Sequence, residues 1–325
     1  MHNHNHSEEE IHNHAEEHHH HTHNHSHHHH NHAVDADSLN KAFVLGIILN
    51  SLFVVCEFAA GFVFNSVGLM SDAGHNLSDV ASLILAMMAF RIAKIPHNDR
   101  FTYGYKKITV HVSLINAVIL IVAVAFIVYE SVHKLLTMEH VEGGMISITA
   151  AIGVVINALT AWLFLKDKEK DLNVKGAYLH MAADALVSLG VVVSGIVIMY
   201  TGWYFIDGII GLAVACIIVW STFELLNESV RLSLDGVPHG ISCHDITDGL
   251  KQTENVAGVH HVHIWALSTT ENALTAHVCL DDFSLLEQTK HDIKQYLKSH
   301  NITHSTLEFE HCGIECSDSD CDCKD

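Results

Sequence analysis

The sequence contains few charged residues and almost no proline. Charged residues make up 17% of the 325 residues, and there are only two prolines; an average soluble protein has about 25% charged residues. Basic residues are the scarcest, with 17 Lys and Arg against 37 Asp and Glu. The formal net charge of -20 excludes a nucleic-acid-binding protein, because such proteins bind phosphates through Lys and Arg.

Two motifs of other metal proteins are also missing. The eight cysteines contain no C-x-x-C pair, and no H-E-x-x-H motif occurs. The second absence argues against an intramembrane metalloenzyme, which needs an open zinc position and a catalytic base. We therefore predict that the chain is not an enzyme and that it has no resident cofactor.

Histidine, in contrast, is abundant. The chain has 32 histidines, and 16 of them lie within the first 32 residues. Neutral imidazole is a common ligand of zinc and of copper, iron and nickel, so this count indicates a metal protein. Residues 1–38 contain no Lys or Arg and little to bury, which predicts a disordered His-rich tail. An expression tag is the alternative, but the irregular spacing favours a native tail.

Six long apolar segments follow the tail. Each is long enough for the roughly 20 residues that a membrane-spanning helix needs. They predict an α-helical membrane domain with six transmembrane helices over residues 39–228. The segments are 41–64, 66–92, 109–136, 143–165, 174–200 and 203–227.

Basic residues near these segments predict the orientation. Two of the five connections, the second-to-third and the fourth-to-fifth, hold nearly all of them, so these connections should be cytoplasmic. With six spans, both termini are then cytoplasmic as well. The residues in question are Arg91, Lys94, Arg100, Lys106 and Lys107 in the first, and Lys166, Lys168, Lys170 and Lys175 in the second.

The rest of the chain predicts a small cytoplasmic domain over residues 229–311, followed by a Cys-rich flexible tail, 312–325. The pattern is a helix, two strands, a helix and a strand, which suits an α+β domain of α-β-β-α-β order. The segments are 241–253, 256–267, 272–281, 284–299 and 302–310.

Two of the apolar segments carry the same polar pattern, H-x-x-x-D. The second segment contains His75 and Asp79, and the fifth contains His180 and Asp184. Residues four apart lie on one face of a helix, so each segment presents an imidazole and a carboxylate together. Two such faces provide the four ligands of a tetrahedral zinc site.

The depth of these residues supports a transport site. Counted from the outer surface, His75 and Asp79 lie roughly 15–21 Å deep; His180 and Asp184 lie roughly 10–17 Å from the inner surface. In a core of about 30 Å both pairs approach the midplane, where transporters bind their substrates. Asp72, one turn before His75, and Asp207 in the sixth segment are predicted to support the site. Asp207 is more readily explained as an interhelical hydrogen-bonding group.

The predicted cytoplasmic domain is also rich in histidine. Strict alternation along the first strand would place His261 and His263 on one face and His260 on the other, while His277 lies within the second strand. A regulatory metal site and ordinary packed or solvated histidines are both open interpretations. Among the ten histidines of this domain, the candidates for such a site are His260, His261, His263, His277, His304 and His311.

The chain resembles the cation diffusion facilitator family, closest to its bacterial zinc-efflux and zinc-cobalt-cadmium resistance branch. The matching stretches are SVGLMSDAGHNLSD, RFTYGYKKITV, LNVKGAYLHMAADALVSLGVV and GVHHVHIWAL. The resemblance implies a homodimer of six-helix subunits, each with a ferredoxin-like cytoplasmic metal-binding domain. It also implies export of divalent metal in exchange for protons.

Carried over residue by residue, the resemblance implies a transport site of His75, Asp79, His180 and Asp184. It implies metal positions at His260, His277 and Glu310 in the cytoplasmic domain. The expected substrate is Zn²⁺, with Co²⁺, Cd²⁺, Ni²⁺ and Fe²⁺ as further candidates for such ligands. The expected location is the bacterial cytoplasmic membrane. The competing hypothesis is a membrane-anchored metal storage or sensor protein that acts through its His-rich tail.

Overall fold

A computed structural model describes residues 36–63, 67–137, 143–203 and 205–312. Six long α-helices come first in the described part of the chain. Each corresponds to one of the six predicted segments, and the ends differ by only a few residues, apart from the start of the first helix and the end of the sixth. The helices are α1 (Ala36–Val63), α2 (Val67–Ala93), α3 (Ile108–Thr137), α4 (Gly143–Phe164), α5 (Leu172–Thr201) and α6 (Phe205–Ser233).

Four of these helices are long and apolar enough to cross a membrane: α1 from Lys41, α3, α5 and α6. Within α4, the stretch Ala150–Phe164 is a shorter apolar helix. The prediction of a largely helical, apolar domain is therefore confirmed, and the number of spans stays a prediction.

Two predicted boundaries differ from the structure. The first helix begins at Ala36, inside the 1–38 segment predicted as disordered; residues 1–35 lie outside the described residues. The sixth helix continues to Ser233, past residue 228, where the membrane domain was predicted to end. The continuous apolar segment ends near residue 228, but the helix itself continues through residues 229–233. Within the predicted Cys-rich tail, residues 313–325 lie outside the described part.

The ends of α5 explain why the helix begins and ends where it does. Asp171 accepts hydrogen bonds from the backbone amides of Asn173 and Val174 through Oδ1, which satisfies free amides of the first turn. At the other end Gly202 adopts a left-handed conformation with φ 71° and donates its amide to the Ile198 carbonyl. Glycine suits this position because it has no Cβ to clash.

The helices α3 and α6 approach closely near the start of α6. A Cβ atom at Gly208 would lie 2.7 Å from the Ser131 backbone oxygen, and one at Gly211 would overlap Ser131 Oγ. Small residues let helix backbones come together in a membrane, where van der Waals packing drives association. This contact fixes the polar residues of α3 and α6 opposite one another.

The second part of the chain folds into a three-stranded sheet with two helices. The order α-β-β-α-β agrees with the prediction. Strands β1 and β2 are antiparallel, β2 and β3 are parallel, and one face of the sheet packs on the helices. The elements are α7 (Cys243–Lys251), β1 (Val256–Ala266), β2 (Asn272–Leu280), a 3₁₀ turn (Phe283–Leu285), α8 (Leu286–Ser299) and β3 (Ile302–His311).

A β-bulge in β1 changes which histidines share a face. His260 pairs with His277 and His263 pairs with Thr275, and the register shifts between the two pairs. His261, with φ 50°, is the extra residue. His277 and Thr275 lie two apart on β2, so His260 and His263 lie on the same face. The prediction that His260 lies opposite His263 was therefore wrong, because strict alternation fails at a bulge.

The turn between β1 and β2 packs against the ends of α3 and α5. Thr269 donates its hydroxyl to Asp171 Oδ2 and its amide to Thr109 Oγ1 at 3.1 Å. Lys107 donates to the Ala266 carbonyl at 3.0 Å, and Lys106 pairs with Glu271 at 2.5 Å. The sheet is therefore attached directly to the first turn of the helix that carries His180.

Asp171 gives this junction a pH dependence. Burial raises the pKa of the Asp171 carboxyl above its ordinary value of 3.8, and the hydrogen bonds from Thr269 and the α5 amides offset this only in part. A raised folded-state pKa means that the stabilising contribution is complete below pH 3.8 and is lost as the pH rises through the raised value.

We expect Asp171→Asn to remove the loss of folding stability that accompanies ionisation of Asp171. Asparagine is also a good N-cap, and it carries no charge at any pH. The melting temperature of the variant minus that of the parent protein should therefore increase as the pH rises above 3.8. Thermal unfolding of both purified proteins over a pH series measures the difference. Parallel curves for the two proteins would contradict the assignment to Asp171.

Candidate metal sites

Two helices bring three predicted ligands together inside the apolar domain. Asp79 on α2 is 2% exposed and His180 on α5 is 6% exposed. His180 Nε2 lies 2.7 Å from Asp79 Oδ1 and 3.8 Å from Asp184 Oδ2. Asp184 is one turn beyond His180 on the same helix, which accounts for its approach. One imidazole and two carboxylates thus converge on one point.

The spacing of these atoms suits a small divalent metal. Two ligand atoms on one tetrahedral zinc are about 3.4 Å apart, given bonds of roughly 2.0–2.2 Å. The two measured distances lie on either side of that value, and one ligand atom from each residue lies within 4.8 Å of the others. His180 and Asp184 lie about 12 and 18 Å from the start of the 45 Å α5, well inside the helix.

For His75 and Asp72, the other two residues predicted for this region, the structure gives only the position in the helix. His75 lies four residues before Asp79 on α2, and Asp72 lies one turn earlier. The side chains of both are outside the described part of the structure. Their roles as fourth ligand and supporting carboxylate remain predictions.

A polar pair lies next to this site. Asn76, three residues before Asp79 on α2, donates to Glu57 Oε2 on α1 at 2.6 Å, and the Glu57 side chain is 2% exposed. Glu57 is therefore an interhelical hydrogen-bonding residue. The bond fixes α1 against the part of α2 that carries Asp79.

Asp207 belongs to a different cluster. It accepts a hydrogen bond from Ser194 at 2.5 Å and pairs with Lys134 Nζ at 3.0 Å. Lys134 also pairs with Glu130 at 3.0 Å, and Asp207, Lys134 and Glu130 line a cavity of about 190 Å³ between α3, α5 and α6. The interhelical explanation of Asp207 is confirmed. Any support for the transport site is indirect, because Asp207 is not among the three converging ligands.

A second group of possible ligands lies on the face of the sheet opposite the packed core. His277 Nδ1 lies 2.6 Å from Glu310 Oε1, and His260 Nε2 lies 3.5 Å from Glu310 Oε2. One ligand atom from each of these three residues lies within 4.8 Å of the other two. The buried His260 Nε2 makes no hydrogen bond among the described residues. Two imidazoles and one carboxylate, with one imidazole nitrogen that makes no hydrogen bond, suit a zinc-like metal.

The sequence did not place two neighbours beside this second group: it assigned His261 to the face opposite His260, and it did not identify Glu308. The His261 ring lies 4.9 Å from the His277 ring, centre to centre, and His277 Nε2 lies 3.6 Å from Glu308 Oε2. His261 comes close because of the bulge, which the sequence does not signal. Glu308 follows from the register of β3 against β2, which is unknown before the sheet is known.

Comparison with known proteins identifies both parts of the chain. Residues 43–232 match the cation efflux transmembrane domain, and residues 238–312 match the cytoplasmic domain of cation efflux proteins. The chain is 33% identical over 276 residues to the cadmium, cobalt and zinc/H(+)-K(+) antiporter of Bacillus subtilis, which covers 83% of this chain and 88% of that protein.

Two other relatives are similarly close. The zinc transporter ZitB of Yersinia pestis is 34% identical over 286 residues, which is 85% of this chain and 90% of that protein. The metal cation efflux system protein CzcD of Cupriavidus metallidurans is 31% identical over 281 residues, 86% of this chain and 89% of that protein. The chain is therefore an integral membrane protein of the cation efflux, or cation diffusion facilitator, family, a family of transporters.

Proposed function

We propose that this protein exports divalent metal, Zn²⁺ above all, from the cytoplasm in exchange for protons. The observation that carries the proposal is the convergence of Asp79, His180 and Asp184 within the apolar helices. Buried ionisable groups in a membrane domain are costly and mark substrate or proton pathways. The family and the names of the relatives support the same conclusion.

The site binds metal through His75, Asp79, His180 and Asp184 in this proposal. Metal binding needs a neutral imidazole and ionised carboxylates, so a metal ion and protons compete for the same atoms. When the site opens to the cytoplasm, Zn²⁺ displaces protons from it. When the helices rock to open the site outward, protons replace the metal.

The direction of transport depends on the orientation in the membrane. We infer six spans, with both termini and the α+β domain in the cytoplasm of a bacterium and the protein in its cytoplasmic membrane. The basic connections support this, because positively charged loops stay on the cytoplasmic side. Asp207 would act from the outer half, where it holds α3 and α6 together through Lys134.

We also propose that the cytoplasmic cluster of His260, His277 and Glu310 is a regulatory metal site in each subunit of a homodimer. Its three residues lie on the face of the sheet opposite the packed core. The turn that joins β1 to β2 contacts the start of α5. Metal bound between the strands would thereby stiffen the sheet that holds this turn.

Flux measurements in proteoliposomes test the function directly. With a pH gradient imposed, Zn²⁺ should move against the proton flow, and collapsing the gradient should stop it. Parallel runs with Co²⁺, Cd²⁺, Ni²⁺ and Fe²⁺ give the selectivity, which a His and Asp site does not determine by ligand type alone. Metal flux that ignores the pH gradient would contradict the antiport mechanism.

The storage or sensor hypothesis makes a different prediction for the His-rich tail. If the protein is a transporter, deletion of residues 2–32 should leave zinc flux in place and change only its apparent affinity or rate. If the tail is the functional part, the deletion should abolish all activity. The same proteoliposome assay with and without the tail separates the two.

A further inference from the structure

The cavity of about 190 Å³ between α3, α5 and α6 lies close to the transport ligands along α5. Its α5 wall includes Val187 and Val191. Val187 lies seven residues after His180, and Val191 lies seven residues after Asp184. Residues seven apart lie on one face of a helix, so the cavity continues the face of α5 that carries the transport ligands.

The cavity extends from the depth of the transport site towards one end of the helices. Val187 lies three residues beyond Asp184, which is about 4.5 Å along the helix axis. At the opposite end, Lys134 in the last turn of α3 and Asp207 in the first turn of α6 line the cavity. In the proposed orientation, this end faces the outside of the cell.

The outer end of the cavity is charged. Lys134 Nζ lies 3.0 Å from Asp207 and 3.0 Å from Glu130, and Ser194 on α5 donates to Asp207. Asp207 is mostly buried and Glu130 is exposed, so the charged groups lead from the cavity to the surface of the protein. Two carboxylates and one ammonium leave a net negative charge, which attracts cations. Ionisable residues in membrane spans face water-filled cavities and mark ion pathways.

The inner end of the cavity is apolar. Ile127, Val187 and Val214 line it and also pack on a cluster of buried apolar residues. Ala183, a member of that cluster, directly precedes Asp184. The three lining residues and the cluster, together called the apolar layer, therefore bound the cavity at the depth of the transport site. The members of the cluster are Val124, Ala183, Ala215 and Ile218.

We propose that this cavity is the outer vestibule of the transport path, through which metal ions leave and protons enter. The apolar layer separates the vestibule from Asp184 and parts when the helices rock outward. Asp207 and Glu130 then offer their carboxylates to the departing cation, and the Lys134 ammonium occupies these carboxylates when no metal ion is present. Lysine suits this role because its ammonium is a compact charge on a flexible stem. The inference rests on the proposed export of metal and on the proposed orientation.

Cysteine labelling from the outer side tests the vestibule. The eight native cysteines of the full-length protein are first replaced by alanine, and Val191→Cys is then added. The probe is a membrane-impermeant, cationic methanethiosulfonate reagent, applied outside right-side-out bacterial membrane vesicles. Because only the thiolate reacts, a cysteine is modified where water reaches it, and Val191→Cys should be modified from outside.

The matched control for this labelling is Val193→Cys. Val193 lies two residues from Val191, at nearly the same depth but about 200° around the helix, and it is exposed on the helix surface. A thiol in apolar surroundings is not ionised, so Val193→Cys should stay unmodified in the lipid. Equal reaction of the two cysteines would overturn the vestibule.

Zinc efflux from the same vesicles shows whether the vestibule lies on the transport path. With Zn²⁺ inside and an acidic medium outside, modification of Val191→Cys should block efflux, because the attached group fills the cavity. A thiol reductant removes that group and should restore efflux. Modification that leaves efflux unchanged would overturn the inference, and so would the absence of modification from outside.

Lys134→Gln tests the role of the ammonium. Glutamine keeps a hydrogen-bond donor for Asp207 but removes the positive charge, so the two carboxylates attract the cationic reagent more strongly. Val191→Cys should then react about tenfold faster, at the lower end of the roughly 10–10³-fold range for electrostatic steering. An unchanged or slower reaction would show that Lys134 does not occupy the carboxylates of the vestibule.

Failure of the proposed function would give a different result. If the native protein shows no proton-coupled zinc efflux, the export itself is wrong and this inference falls with it. If native efflux is normal but Val191→Cys fails the labelling or the block, the export holds and only the vestibule is wrong.

Discussion

Asp184→Asn is expected to abolish proton-coupled zinc flux. The substitution keeps the shape of the side chain and removes one of the carboxylates that face His180 Nε2 within 3.8 Å. Even the loss of a residue that only supports a metal ligand costs about 10–100-fold in affinity or activity, so loss of a ligand should cost at least 100-fold. Stopped-flow zinc uptake into vesicles with an imposed pH gradient measures this.

The control for Asp184→Asn is Asp99→Asn. Asp99 is exposed in the connection between α2 and α3, so this variant also removes one carboxylate but leaves the converging ligands intact. It should transport at the rate of the parent protein. Normal zinc flux through Asp184→Asn, in protein that elutes and melts like the parent, would show that the intramembrane cluster is not the transport site.

Asp207→Leu is expected to destabilise the membrane domain by about 3 kcal/mol, because it removes one of the two carboxylates that pair with Lys134 and breaking a buried ion pair costs about 3–5 kcal/mol. Asp207 is 11% exposed and lies 3.0 Å from Lys134 Nζ. We expect the lower end of the usual range, since Glu130 still faces Lys134. Unfolding of the protein in bicelles, compared with the parent, measures the change.

A double variant shows whether the destabilisation comes from the broken ion pair or from the introduced leucine side chain. Lys134→Met combined with Asp207→Leu replaces both charges by apolar groups and should recover most of the loss. Glu224→Gln breaks the exposed Lys175–Glu224 pair and should cost no more than about 1 kcal/mol. A double variant as unstable as Asp207→Leu would mean that packing around Asp207, and not its charge, holds α3 to α6.

The intramembrane ligands were predictable because helical geometry is regular. The four-residue spacing of His180 and Asp184 fixes their shared face on any α-helix, and the apolar segments fix their depth. The meeting of α2 with α5, which brings Asp79 to 2.7 Å from His180, was inferred only from the repeated motif. The homodimer, the exchange for protons and the cytoplasmic metal positions were implied by the family resemblance alone.

The sheet was less predictable because its details depend on long-range pairing. Strict alternation holds along β2 but fails in β1 at His261, where the bulge shifts the register. The junction formed by Asp171 and Thr269 left no local pattern at all, since the two residues are 98 positions apart. Both features are set by contacts that no window of sequence contains.

The junction also limits how modules of this family can be exchanged. Lys107 donates to a backbone carbonyl of the sheet, but Asp171 and Thr109 contact the side chain and amide of Thr269. A chimera that joins this membrane domain to a relative's cytoplasmic domain would keep the first contact with almost any sequence. It would keep the hydrogen bond to Asp171 only if the grafted turn has Ser or Thr at the position of Thr269. Exchange of the two parts therefore requires a matched turn, and a cut in the linker after α6 is not enough.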